Sequence, residues 1–208
     1  MTRRSLFALP VIVRRFRERY THVEVTLHEL TTMEQIKALK EGRIDVGFGR
    51  VKAEDPNVRR IVLREERLIV GLPDGHALSG SEEALRLVDL QNETLIVYPK
   101  APRPSFADQV LDVFRSHGIT PGKVVEVREL QIAVGMVAAG EGVAVVSESV
   151  HGMKRADVSY RPLADRQAVS PVMFSVRNLD KSEELRNMLA VIYEIYDEVG
   201  IPHVKETL

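Results

Sequence analysis

Ala38-Leu39-Lys40-Glu41-Gly42-Arg43-Ile44-Asp45-Val46-Gly47-Phe48-Gly49-Arg50 holds a helix end, its stop and a strand in one short stretch. Thr32 is placed to cap a helix through Met33, Ile36 and Leu39, and Gly42 just past Glu41 ends it. Ile44 to Gly49 then changes to the pattern of a strand. Its two glycines imply a close backbone approach at the strand's carboxyl end. A helix feeding directly into an apolar strand is the repeating unit of an α/β layer fold.

The same alternation extends in both directions. Upstream, Val23, Val25 and Leu27 alternate with Glu24, Thr26 and His28, which predicts a strand with one buried face. Before it, Leu6, Leu9, Val13 and Phe16 recur at helical spacing, with Arg14, Arg15, Arg17, Glu18 and Arg19 on the other faces. Downstream, Ile61 to Leu72 is one long apolar run broken only by Arg64, Glu65, Glu66 and Arg67. Strands are expected at Thr94–Tyr98, Val124–Val127 and Val143–Val146, the last buried on both faces. Helices are expected from Ser105 to Gly118, over Leu130–Ala139 and from Asp180 onward. Val172–Val176 reads as a second long strand. The expected sheet is largely parallel.

Two long strands that each pass between halves imply a discontinuous domain. Residues 1–65 with 171–208 are expected to form subdomain I, and 66–170 subdomain II. A cleft between such halves, hinged twice, is a natural site for a small molecule.

Composition narrows the function. The 208 residues carry 29 Lys+Arg against 30 Asp+Glu, with 44% hydrophobic residues, no Cys and no Trp. A net charge of -1 is too low for a nucleic-acid-binding module, and the lack of cysteine excludes disulfides and thiolate chemistry. The longest apolar run, Ala133–Ala139, is far shorter than the roughly 20 residues of a membrane span. The start, Met1-Thr2-Arg3-Arg4-Ser5, is a poor signal peptide, so a cytoplasmic location and no membrane partner are expected. No G-x-S-x-G, phosphate loop or H-E-x-x-H occurs. Gly47-Phe-Gly49 and Gly140-Glu-Gly142 both lack the third glycine of a dinucleotide fingerprint. His22, His28, His76, His117, His151 and His203 show no metal-ligand spacing. Neither an enzyme, a cofactor nor a metal site is expected.

Anion-binding features are better represented. The helix starts at Thr32 and Ser105 each join a hydroxyl to a positive dipole end, although an ordinary cap explains each as well. Arg50 follows the glycine-rich strand end, where ligands of open α/β sheets sit. Glu129 stands beside Arg128 at another helix start. Lys100 and Arg103, with Pro99, Pro102 and Pro104, make a rigid cationic loop.

The order of motifs resembles the effector-binding domain of LysR-type transcriptional regulators. Glu29-Leu30-Thr31-Thr32, Gln35 and Ala38 to Arg50 carry the likeness. So do Tyr98-Pro99 to Pro104-Ser105-Phe106, Glu126 to Gln131, and Val137-Ala138-Ala139-Gly140-Glu141-Gly142. The last three place it near the branch responding to benzoate, muconates and chlorinated analogues. The resemblance implies two Rossmann-like subdomains with a double crossover, as in type 2 periplasmic binding proteins. It implies a small carboxylate effector contacted by Thr32, Pro104 and Phe106, with Arg50 and Glu129 in the surrounding charge network. Arg64, Glu66 and Tyr196 match positions bordering a second, aromatic-acid pocket. The family's effector-facing serine falls on Arg3, or on Ser5 with a one-residue gap. The family's DNA-binding winged helix lies outside these residues. Promoter DNA and RNA polymerase are therefore partners only of a full-length regulator, while self-association to a dimer or tetramer is expected of this part. The alternative is a solute-binding protein for a small organic anion.

Overall fold

A computed structural model describes residues 8–81, 83–153 and 155–208 of the chain. Arg3 and Ser5 lie outside the described residues. The chain divides into two units, Met1–Glu65 with Pro171–Leu208, and Glu66–Ser170.

In the first unit, helix α1 (Ala8–Arg19) lies against the long helix α5 (Glu183–Val199). The α1 stripe that reaches the core is Ile12, Val13 and Phe16, while Leu9 remains 39% exposed. From α5 come Leu185, Met188, Leu189, Ile192, Ile195 and Tyr196, all buried, the three-four spacing of one helical face. Arg15 with Glu198 at 2.6 Å and Arg19 with Glu194 at 2.7 Å join the two helices along their exposed rim. Helix α2 (Thr32–Lys40) leads to the short strand β1 (Gly47–Gly49). Gly42 ends the turn after α2 with φ +69°, a conformation a side chain resists. Strand β2 (Val58–Pro73) begins in this unit. β1 pairs antiparallel with β7 (Val169–Arg177), Gly47 opposite Ser175, and β7 neighbours β2.

The second unit is a sheet covered on both faces. It contains β3 (Thr94–Val97), helix α3 (Phe106–Ser116), β4 (Lys123–Glu126), helix α4 (Leu130–Ala138), β5 (Val143–Ser147) and β6 (Val158–Pro162). All five residues of β5 are buried. Val143 and Val145 join the core under α3 with Val110 and Phe114, while Ala144 and Val146 join the core under α4 with Ala133 and Val137. The period-two alternation of a strand therefore explains a run that shows no polar face.

Three expectations need correction. The sheet is mixed, because β3/β4 and β3/β5 run parallel, whereas β1/β7, β2/β5 and β2/β6 are antiparallel. The parallel pairs are those whose connections pass through α3 and α4, the crossovers that parallel pairing requires. Strand β6 falls where the sequence reading expects no strand. Among the described residues, Val23–Leu27 pairs with no strand. Its alternation marks one half-buried face, yet a strand also needs a partner segment at hydrogen-bonding distance, which alternation alone does not supply. Instead Val23–Leu27 borders a cavity of 480 Å³ with Val13 and Phe16 of α1, Phe48 of β1, and Leu185 and Met188 of α5.

Candidate effector site

In the first unit the candidate site is built on the start of α2. Thr31, not Thr32, is the N-cap. Glu34 Oε2 accepts from the backbone N of Thr31 at 2.8 Å and from its Oγ1 at 2.7 Å, while Glu34 N donates back to Thr31 Oγ1. This reciprocal box consumes the Thr31 hydroxyl. The hydrogen bonds from Thr31 hold the Glu34 carboxyl below its ordinary range. Thr32 thus occupies the first helical turn with a hydroxyl not used as the cap. It is only 9% exposed, and its Oγ1 lies 3.2 Å from where a Cβ on Gly49 would be.

Gln35 and Arg60 complete that surface. Gln35 Nε2 donates to Leu30 O at 3.0 Å and Phe48 O at 2.9 Å, so one side chain ties the segment before α2 to β1. Arg60 Nε donates to Ser175 Oγ at 3.1 Å, and its Nη1 donates to Val51 O and Ala53 O. These bonds turn its Nη2 toward Gly49, 3.7 Å from that same Cβ position. Partial burial lowers the Arg60 pKa from its ordinary value, since a desolvated cation is less stable. Sequence reasoning missed Arg60, because the strand was started at Ile61. Arg60 and Val58 share a strand parity, and extending the strand back to Val58 is the signal that exposes it. Arg50 follows β1 and is half-buried.

Arg64 and Tyr196 also meet in this unit. Both are buried, at 6% and 1% exposure, and the guanidinium carbon lies 5.8 Å from the ring centroid, within cation–π range.

In the second unit the corresponding helix start is that of α3. Ser105 is its N-cap and is 3% exposed, and its hydroxyl donates to Pro99 O at 2.8 Å. Asp108 accepts from Ser105 N at 2.6 Å. Arg103 bridges Asp108 and Glu126, the latter at 2.6 Å, and its Nε donates to Lys100 O. The proline loop is thereby fastened to the helix start. Phe106 is 7% exposed and packs on Tyr98 with ring centroids 5.3 Å apart, whereas Pro104 is exposed.

The remaining expected residues sit elsewhere. Glu129 is the exposed N-cap residue of α4 and makes no side-chain cap. Glu66, in the second unit, is 1% exposed and accepts from Ser149 N at 2.5 Å. Thr32 is therefore grouped with Gln35, Gly49 and Arg60, Pro104 and Phe106 with Ser105 and Tyr98, and Arg64 with Tyr196. Among the described residues no group of His, Cys, Asp or Glu has the arrangement of a metal site, and no helix is long and apolar enough to cross a membrane.

Helix starts with buried hydroxyls and oriented N–H groups suit carboxylates, and the Arg64 guanidinium over the Tyr196 ring forms a buried cation–π pair. The family model for the LysR substrate binding domain matches residues 5–194. The chain is 40% identical over 193 residues to the HTH-type transcriptional regulator BenM of Acinetobacter baylyi, covering 92% of this chain and 64% of that regulator. It is 46% identical over 190 residues to a probable cat1 operon transcriptional activator of Acinetobacter lwoffii, covering 91% and 62%. Among solved structures, the BenM effector binding domain with its effector benzoate superposes with a TM-score of 0.93 at 39% identity, covering 97% of this chain and 91% of that one. The chain spans less than two thirds of the length of the two curated regulators.

Proposed function

The chain belongs to the LysR substrate binding domain family, and from that premise we propose that it is the effector-sensing part of a transcriptional regulator of aromatic-compound catabolism. Its fold is mixed α/β of the type 2 periplasmic-binding-protein kind, and it is a binding module, not an enzyme, as its relatives are transcriptional regulators. The observation that carries the reading is the close superposition on a domain holding benzoate as its effector.

The effector in this reading is a small carboxylate, muconate-like or benzoate-like. On the first unit Thr32 receives a carboxylate at the start of α2, with Arg50 and the newly found Arg60 supplying positive charge. On the second unit the start of α3 offers Pro104 and Phe106, and Glu129 stands in the outer charge network. Arg64 and Tyr196 take an aromatic acid, with Glu66 as a further buried charge on β2. Arg3 and Ser5 remain candidates for the family's serine position. Effector binding shifts the population between two conformations of the sensor, and the shift is read by promoter DNA and RNA polymerase through the full-length regulator in the cytoplasm. Self-association to a dimer or tetramer uses α1 in this reading.

Titration calorimetry with cis,cis-muconate, chloromuconates and benzoate tests the assignment. Saturable binding of at least one is expected, and no binding of any removes it. Light scattering at micromolar concentration tests self-association, which a strict monomer contradicts.

A further inference from the structure

Gly200–Leu208, after α5, forms no helix or strand, yet it is tied at almost every step. Gly200 turns the chain with φ +70°, and Ile201 N donates to Tyr196 O at 2.8 Å. His203, its side chain 6% exposed, stacks on Tyr193 at 5.3 Å and 10° and meets Tyr196 edge-on at 5.5 Å and 68°. Its Nδ1 lies 2.8 Å from Ile201 O, so that nitrogen carries the proton, and its Nε2 faces Asp197 Oδ1 at 3.5 Å. Lys205 reaches Asp197 at 2.6 Å, and Glu206 N donates to the Tyr193 hydroxyl at 2.9 Å. Finally Arg59 Nη2 donates to Thr207 O at 2.6 Å, and Leu208 packs on the core of the unit.

The two ends of this segment touch different elements. Lys205 and His203 hold α5, which carries Tyr196, while Thr207 is held by β2, which carries Arg64. The segment therefore spans the two elements whose spacing sets the 5.8 Å separation of the Arg64 guanidinium from the Tyr196 ring. We propose that Gly200–Leu208 is a strap for the aromatic-acid pocket and that His203 is its positioning residue, holding the Tyr196 ring to which Arg64 and the ligand are aligned. This rests on the assignment of Arg64 and Tyr196 to an aromatic carboxylate made above. The ring contact, not charge, is the element that does the positioning. An aromatic side chain at 203 should then suffice.

The test uses the full chain and two variants, His203→Ala and His203→Phe. The first readout needs no ligand. The Arg64 side-chain N–H resonance senses the ring current of Tyr196 and is identified by its loss in Arg64→Lys. It is expected to move in His203→Ala and to stay near the wild-type position in His203→Phe. An unmoved resonance in His203→Ala overturns the proposal. The second readout is affinity. Benzoate binding is expected to weaken about fivefold in His203→Ala and to recover in His203→Phe, an aromatic contact's worth, with cis,cis-muconate unchanged. Equal loss for both ligands indicates general loosening and overturns the positioning role. If the wild-type chain binds neither ligand, the functional assignment fails, and the Arg64 resonance alone decides the strap.

Discussion

Gln35 holds Phe48 through the backbone, its Nε2 donating to Phe48 O at 2.9 Å while also binding Leu30 O at 3.0 Å. The contact is close enough that a Cβ on the neighbouring Gly47 would lie 2.6 Å from Gln35 Oε1. Gly47→Ala is therefore expected to push Gln35 off both carbonyls, at a cost of about 1–3 kcal/mol. Chemical denaturation measures it. Adding Gln35→Ala to Gly47→Ala should cost little more, because the same hydrogen bonds are already lost, and full additivity contradicts the account.

Thr31 and Thr32 separate structure from binding. Thr31→Ala removes the cap and should cost about 1 kcal/mol of stability. Thr32→Val should change stability little and weaken effector binding roughly tenfold, the loss of a hydrogen bond to a charged group. Unfolding curves and calorimetry on both variants check the split, and a Thr31→Ala protein as stable as the parent would contradict the cap.

The same box carries a pH dependence. Glu34 is depressed below its ordinary 4.5 in the folded chain. Its contribution is complete above that value and is lost as pH falls through the lower folded-state pKa. The gap between Thr31→Ala and the parent should therefore be widest at neutral pH and narrow in acid, leaving the part due to the Glu34 N–H bond to the Thr31 hydroxyl, which does not titrate. Denaturation at several pH values shows whether the gap narrows.

Gly142 cannot carry a side chain. A Cβ there would lie 2.2 Å from Thr94 O, a backbone atom at the start of β3, and φ is +157°. No rotamer relieves a clash with backbone, so Gly142→Ala is expected to cost about 3 kcal/mol or more. A thermal melt reads it, with Gly135→Ala as the control, since nothing lies within 4 Å of a Cβ on Gly135.

Arg103 fastens the proline loop through Asp108 and Glu126. These side chains are about a third exposed, so Arg103→Ala should cost at most about 1 kcal/mol, falling with added salt. Faster hydrogen exchange at Ser105 and Phe106 is the expected local sign, and unchanged protection there would sink the fastening role.

Some of the molecule was legible in the chain because it depends on neighbours in sequence. The apolar stripe of α5 follows from the period of a helix. The stop at Gly42 follows from its freedom to adopt positive φ, and the two-faced burial of β5 from an apolar run too short for a helix. The glycines at 47 and 49 point to a close approach of backbone, whereas it is the side chains of Gln35 and Thr32 that lie against them. The motifs from Glu29 to Arg50 and from Tyr98 to Phe106 were enough to indicate the family. What the tertiary structure decided is non-local. Val23–Leu27 has the alternation of a strand but no ladder neighbour among the described residues, and pairing is a property of two segments. The antiparallel course of β2 against β5 and β6 depends on chain direction after a long connection. The cap fell on Thr31, not Thr32, because Glu34 closes the box one residue earlier. Arg60 joined Thr32, and His203 joined Tyr196, only because folding brings residues far apart in sequence within a few ångströms, a distance that no local period encodes.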